Sequence, residues 1–166
     1  MSVKGGLFMQ ITNIYEGKLQ ANDLKFAIVA TRFNEFIVEQ LINGAVDFLL
    51  RHGANKNDLA LIKVPGAFEI AQVTQLLAKS KKYDGIICLG ALIRGATSHF
   101  DLLAHETIKS LAQINLTYQV PIGMGILAAD TLEQAIERAG TKAGNKGAAA
   151  ASACLEVVQV VKQLRK

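Results

Sequence analysis

The chain has 166 residues, a length that suits one packed domain better than two, since domains usually run to about 100–200 residues. Hydrophobic residues make up 51% and charged residues only 19%, against a usual charged share of about 25%, which excludes disorder and calls for more buried surface than a lone globule provides. The apolar residues fall in short runs rather than one stretch of ~20, which excludes a transmembrane helix, and a mild, scattered net charge of +4 argues against nucleic acid as a partner.

Residues 1–24 read as an N-terminal arm. Met1 to Gly6 lack the charged segment, apolar stretch and small-residue cleavage site of a secretory signal, so the expectation is a cytoplasmic protein. Met9, Ile11, Ile14 and Tyr15, within residues 7–17, suffice for a short strand pairing at a sheet edge, its own or a neighbour's. From residue 25 onward four apolar runs each lead into helical periodicity, the pattern of a parallel sheet covered by helices. Phe26–Ala30 is the first run. Its helix starts after Asn34 as N-cap, keeps Ile37, Leu41, Ala45, Phe48 and Leu49 on one face, and stops at Gly53. Leu59–Val64 follows, broken by Pro65-Gly66 before a helix to about Ala78. Gly85–Leu89 leads through a glycine-containing loop to a helix with Ala104, Ile108, Leu111 and Ala112 inward. The run from Gln119 to Leu127 passes Asp130 or Thr131 as cap into Leu132, Ala135, Ile136 and Ala139. A last helix over about 148–164 turns Cys154, Val157, Val158, Val161 and Leu164 inward.

Near-continuous apolar strands are covered on both faces. The predicted fold is therefore a three-layer α/β/α sandwich on about four parallel strands, with residues 25–166 as the core of a single domain over 1–166. Ligands of such sheets bind beyond the carboxyl ends of the strands, which singles out the loops 31–34, 65–69, 90–99 and 128–130.

Two glycine motifs fail as nucleotide signatures. Gly123-Met-Gly125-Ile-Leu-Ala128 lies inside a strand, and no later strand carries an acid for a ribose. Gly140 to Gly147 has the wrong spacing for a phosphate loop and no Ser or Thr for magnesium. A looser anion role survives there, because a glycine-rich helix start offers N–H groups and Arg138 and Lys146 add charge. Lys79, Lys81 and Lys82 read as a solvated face, and Cys88 and Cys154, far from any metal-ligand spacing, as small buried hydrophobes. His99, the only histidine in a strand-exit loop, is either a solvated side chain or a proton carrier beside the small residues Gly95 to Ser98. Phe33 is a staple onto its helix or a stacking ring. Glu69 complements the dipole of its helix or binds hydroxyl groups.

Arg32-Phe-Asn-Glu35, Val64-Pro-Gly-Ala-Phe-Glu-Ile70, Gly90-Ala-Leu-Ile-Arg-Gly-Ala-Thr-Ser-His99 and Thr131 to Gly147 together resemble the 6,7-dimethyl-8-ribityllumazine synthase family, in order and over about residues 24–164. The resemblance implies a flavodoxin-like fold and a transferase of riboflavin biosynthesis, condensing 5-amino-6-(D-ribitylamino)uracil with 3,4-dihydroxy-2-butanone 4-phosphate. No cofactor and no metal are implied. By the family pattern Phe33 stacks on the pyrimidine, and Ala67, Phe68, Glu69, Ala91, Leu92 and Ile93 line the uracil and ribityl pocket. Ala96 and Thr97 contact the butanone phosphate, Arg138 clamps it with Lys146 nearby, and His99 carries protons. Met124 stands where the family usually has Phe, which softens one wall of that pocket, and Ala71 replaces a common Pro.

The same resemblance implies a homo-oligomer. Family members form pentamers, in some cases twelve of them closing a 60-subunit shell, with the active site between subunits and the N-terminal strand added to a neighbour. Riboflavin synthase is the partner implied. The alternatives on the same scaffold are a non-catalytic flavin- or lumazine-binding protein, which has no need of His99, Arg138 and Lys146 together, and a shell protein whose assembly matters more than turnover.

Overall fold

A computed structural model describes residues 10–166. Four strands, β1 (Phe26–Thr31), β2 (Leu59–Val64), β3 (Gly85–Ile93) and β4 (Ile122–Ala129), form one parallel sheet in the order β2-β1-β3-β4. Helices α1 (Glu35–Arg51), α2 (Ala67–Ser80), α3 (His99–Tyr118), α4 (Leu132–Arg138) and α5 (Lys146–Leu164) connect or follow them, and β5 (Ala139–Thr141) pairs with β6 (Gly144–Asn145) in a small antiparallel hairpin between α4 and α5.

Alternation along the strands divides the core in two. Ile28, Ile87, Leu89 and Leu127 pack with Leu41 and Leu49 of α1 and Leu155 and Val158 of α5. Val29, Ile86, Cys88 and Ile126 pack on the other face with Ile70 of α2 and Phe100, Leu111 and Ile114 of α3. Burial on both faces is the reason the strands read as unbroken apolar runs. The two glycines of β4 have a packing role: a Cβ on Gly123 would meet the carbonyl of Ala150 and one on Gly125 the Leu89 side chain, so their absence lets α5 lie close on β4.

Several expectations need correction. Strand β3 runs on to Ile93, so the first four residues of the expected 90–99 loop are sheet. The inner face of α3 is Phe100, Ala104, Thr107, Leu111 and Ile114, a different phase of the same period; Ala112 is exposed and Ile108 is 38% exposed. Thr107 can be buried because its hydroxyl donates to the Leu103 carbonyl at 2.7 Å. On α5, Val157 and Leu164 face outward, and Ala150, Ala151 and Leu155 are buried instead. Leu132 of α4 is also exposed. Asn34 has a left-handed backbone (φ 58°) and does not cap α1 with its side chain. Thr131 does cap α4, accepting from the Gln134 N–H at 3.2 Å.

The arm is the largest departure. Residues 10–25 form no strand, so pairing at the protein's own sheet edge is overturned for them, while Met9 lies outside the described residues. The arm instead runs along α5, whose Gln163 side chain donates to the Glu16 carbonyl at 2.7 Å and whose Gln159 side chain donates to that of Gln20. Side-chain amides thereby satisfy backbone carbonyls that a sheet would otherwise have paired.

Candidate active site

The carboxyl ends of β1, β2 and β3 are tied together before any functional side chain enters. Arg32 N–H donates to the Val64 carbonyl at 2.8 Å and Phe33 N–H to that of Pro65 at 3.1 Å. The Asn34 side chain crosses to donate to the Ala91 carbonyl at 2.8 Å. This fixes Phe33 on a short, braced turn with its ring 70% exposed. Pro65-Gly66 ends β2, and α2 begins at once, so Phe68 (78% exposed) and Glu69 project from its first turn.

Beyond β3 the chain is held by Arg94. Its Nη1 donates to Asp101 Oδ2 at 2.9 Å and its Nε to Asp130 Oδ1 at 2.8 Å, while its guanidinium lies 4.5 Å from the centre of the Phe100 ring. Its backbone N–H donates to the Ala129 carbonyl at 2.9 Å. The exits of β3 and β4 and the first turn of α3 are thus joined through one side chain. The hydrogen bond from Arg94, and then its charge, holds the Asp101 carboxyl below the usual carboxylate range, and the two carboxylates raise the Arg94 guanidinium in turn. His99 opens α3 on this clamped segment, and its N–H donates to Thr97 Oγ1 at 3.4 Å.

Between these loops lies an open cleft of about 430 Å3. It brings together Phe33, Ala67, Phe68, Glu69, Ala91, Leu92, Ile93, Thr97 and His99, nine of the residues singled out in the sequence, with Pro65, Phe100 and Leu103 adding apolar wall. Exposed rings over an apolar floor suit a flat heterocycle, the carboxylate suits hydroxyl groups, and the imidazole suits proton transfer. A comparable cleft of about 450 Å3, lined by Tyr83, Tyr118 and Lys162, lies at the other end of the sheet. It contains no histidine, Lys162 there is 3.5 Å from Asp84, and it sits at the carbonyl ends of α2 and α3 rather than where parallel sheets bind ligands.

The remaining four predicted residues do not line the cleft. Ala96 is exposed on the loop between two that do, Gly95 and Thr97. Met124 is in the middle of the edge strand β4, beside Cys88, and 47% exposed. Arg138 ends α4, with Nη1 donating to the Gln134 carbonyl at 3.1 Å, and Lys146 begins α5 with its side chain exposed. The two cations flank the same hairpin: Ala139 pairs with Asn145 at its base, Arg138 immediately precedes Ala139 at the end of α4, and Lys146 immediately follows Asn145 at the start of α5.

Neither cysteine is available as a nucleophile. Burial pushes both the Cys88 and Cys154 thiols up to about 12. Among the described residues no group of three or more His, Cys, Asp or Glu converges to hold a metal, and no helix is long and apolar enough to cross a membrane. Sequence reasoning missed Arg94, Asp101 and the tethering role of Asn34. Each works through a partner distant in sequence or on another loop, and only the Arg-to-Asp spacing across a helix start offered a local signal.

Strand order β2-β1-β3-β4, helices on both faces and a ring-lined cleft at the carboxyl edge define a flavodoxin-like α/β enzyme for small molecules. The chain belongs to the 6,7-dimethyl-8-ribityllumazine synthase family, whose model matches residues 23–162. It is 60% identical over 149 residues to the 6,7-dimethyl-8-ribityllumazine synthases of Nitratidesulfovibrio vulgaris strains Miyazaki F and Hildenborough, covering 90% of this chain and 96% of each relative.

Proposed function

We propose that the protein joins 5-amino-6-(D-ribitylamino)uracil to 3,4-dihydroxy-2-butanone 4-phosphate, giving 6,7-dimethyl-8-ribityllumazine, one phosphate and two waters, the penultimate step of riboflavin biosynthesis. The observation that carries it is the convergence of Phe33, Glu69 and His99 on one cleft in a chain 60% identical to enzymes of that name. Phe33 stacks on the pyrimidine and Glu69 takes ribityl hydroxyls. Ala91, Leu92 and Ile93 form the floor. The 5-amino group attacks the ketone, the imine forms with loss of water, phosphate leaves, and the ribityl-bearing nitrogen closes the ring with loss of the second water. His99 moves the protons these steps require. No electron is gained or lost overall, so the chemistry needs orientation and proton transfer. Holding two reactants in register supplies about 7–11 kcal/mol, against roughly 10²–10⁴-fold from one acid–base group.

Arg138, Lys146 and Met124 act on the cleft of an adjacent subunit in a homo-oligomeric ring, a pentamer, twelve of which close a 60-subunit shell. Two observations support this: those residues are absent from the cleft of their own subunit, and Phe36, Leu61, Leu102, Leu116 and Leu164 are exposed. Within the arm, residues 1–24, Glu16 and Gln20 are tied to this subunit's own α5, the segment ahead of them reaches a neighbour's sheet edge, and residues 25–166 form the core of one domain. The enzyme works in the cytoplasm beside riboflavin synthase, which consumes its product. Mixing the protein with both substrates tests the activity, read by the absorbance and fluorescence of the lumazine. Tight binding of a ribityl-pyrimidine analogue without product would make it a binding protein instead. Sedimentation tests the assembly, and a stable, active monomer would overturn it.

A further inference from the structure

The base of the hairpin between α4 and α5 is tied to α1 by the side chain of Asn145. Asn145 Nδ2 donates to the Gln40 carbonyl of α1 at 2.8 Å and to the Ala139 carbonyl of β5 at 3.2 Å, while its Oδ1 accepts the Ala148 N–H at 3.0 Å and caps α5. All of the amide's directional capacity is used except one acceptor lone pair. The surroundings are shaped to it. A Cβ on Gly44 of α1 would collide with the Asn145 amide, and one on Gly147 would collide with the Leu41 carbonyl, so glycines at both positions let α1 and the start of α5 approach closely enough for the amide to bridge them. The far end of the hairpin is closed separately, by Ala143 N–H to the Glu137 carbonyl at 3.0 Å and by Thr141 Oγ1 to that of Ile136 at 3.2 Å.

Asn145 thereby ties together the two stretches of backbone that carry the cations. Ala139, whose carbonyl it binds, follows Arg138, and Lys146 follows Asn145 itself. A phosphate monoester bound by two side chains needs them at a fixed separation, and long Lys and Arg side chains get that only from the backbone beneath them. We propose that Asn145 is the positioning residue of the phosphate site, its amide locking the hairpin to α1 so that Arg138 and Lys146 face one phosphate together. This rests on the reading above that those two cations bind the butanone phosphate.

Asn145→Ser keeps a side chain that caps a helix but cannot reach Gln40. In the assembled enzyme, the KM for the butanone phosphate and the inhibition constant of inorganic phosphate both rise at least about tenfold, equivalent to about 1.4 kcal/mol, while the KM for the ribitylaminouracil stays within about twofold. A purely structural role would instead lower Tm and move both KM values alike, and that outcome, or an unchanged phosphate constant in a folded variant, overturns the proposal. Gly44→Ala tests it without touching Asn145, and carries the test alone should Asn145→Ser not fold: its added methyl displaces the amide and weakens inorganic phosphate by about threefold, a cost of order one half-strength hydrogen bond. No weakening overturns the proposal. Arg138→Ala separates the two levels. If it leaves phosphate binding intact, the phosphate reading itself fails; if it weakens phosphate while Asn145→Ser and Gly44→Ala do not, only the role of Asn145 fails.

Discussion

In the proposed reaction, the cleft at the carboxyl edge of the sheet and the hairpin after α4 are two differently built halves of one chemical task. The cleft is apolar, made from three strand exits braced by backbone hydrogen bonds and by Arg94, and it holds the rings, the carboxylate and the histidine. The hairpin is short, with the two cations at the helix ends that flank it, and its base is tied to α1 by a single asparagine. Recognition of a flat heterocycle needs a wall of fixed shape, whereas recognition of a phosphate needs only a few well-aimed donors. One subunit can therefore carry both halves without joining them, and the ring proposed above would bring one half of each subunit to the other half of the next.

The sharpest way to break that division is Arg138→Ala. Losing two charge-assisted hydrogen bonds at about 1.5–3 kcal/mol each should lower kcat/KM by about 10³-fold, expressed in the KM for the butanone phosphate. His99→Ala should cost less, about 10²-fold in kcat, because orientation of the two reactants persists and solvent can move some of the protons. Complete loss in the second variant beside full activity in the first would reverse the roles of the two halves. Co-assembling equal amounts of the two impaired variants is a direct probe of where the halves meet. If each site takes His99 from one subunit and Arg138 from the next, random mixing restores about a quarter of the sites. If both came from one subunit, mixing would restore none.

The smallest expected effect concerns the brace of the cleft. Because the folded Asp101 carboxyl titrates below its ordinary value of about 3.9, the Arg94 pair stabilises the fold above that pH, and the contribution is lost as pH falls through the lowered value. Arg94→Met should lower Tm modestly near neutral pH, the pair being exposed, and the gap to the unaltered protein should close on acidification. A gap of equal size at pH 7 and pH 3, measured by thermal melts, would remove Asp101 as its cause.

Periodicity located the four strands of the parallel sheet and the five α-helices, since apolar runs and helical stripes are local properties of the chain, but not the β5-β6 hairpin, where Ala139 read as helix. It could not set the phase of α3, because Thr107 is polar until its hydroxyl finds the Leu103 carbonyl, and then it is core. The arm shows the same limit: Ile11, Ile14 and Tyr15 resemble a strand in composition, but the glutamines of α5 that bind its carbonyls lie more than a hundred residues away. At the site, residue types next to strand ends pointed to Phe33, Glu69 and His99 as candidates, and the family resemblance gave them roles. Asn34 and Asn145 are the instructive cases. A sequence offers an asparagine before a helix as a cap; Asn145 is one, but Asn34 spends its amide on β3 instead.

By itself, then, the sequence determined the α/β class, the loops where chemistry could reside and, through four ordered motifs, the family. Tertiary structure alone decided which of those residues share a cleft and which stand apart from it, and which polar side chains brace each half. The reason is physical: hydrophobic period and turn chemistry act over a few residues, whereas a cleft or a bridging amide depends on the register of strands and the closeness of helices, which exist only after the whole core has packed.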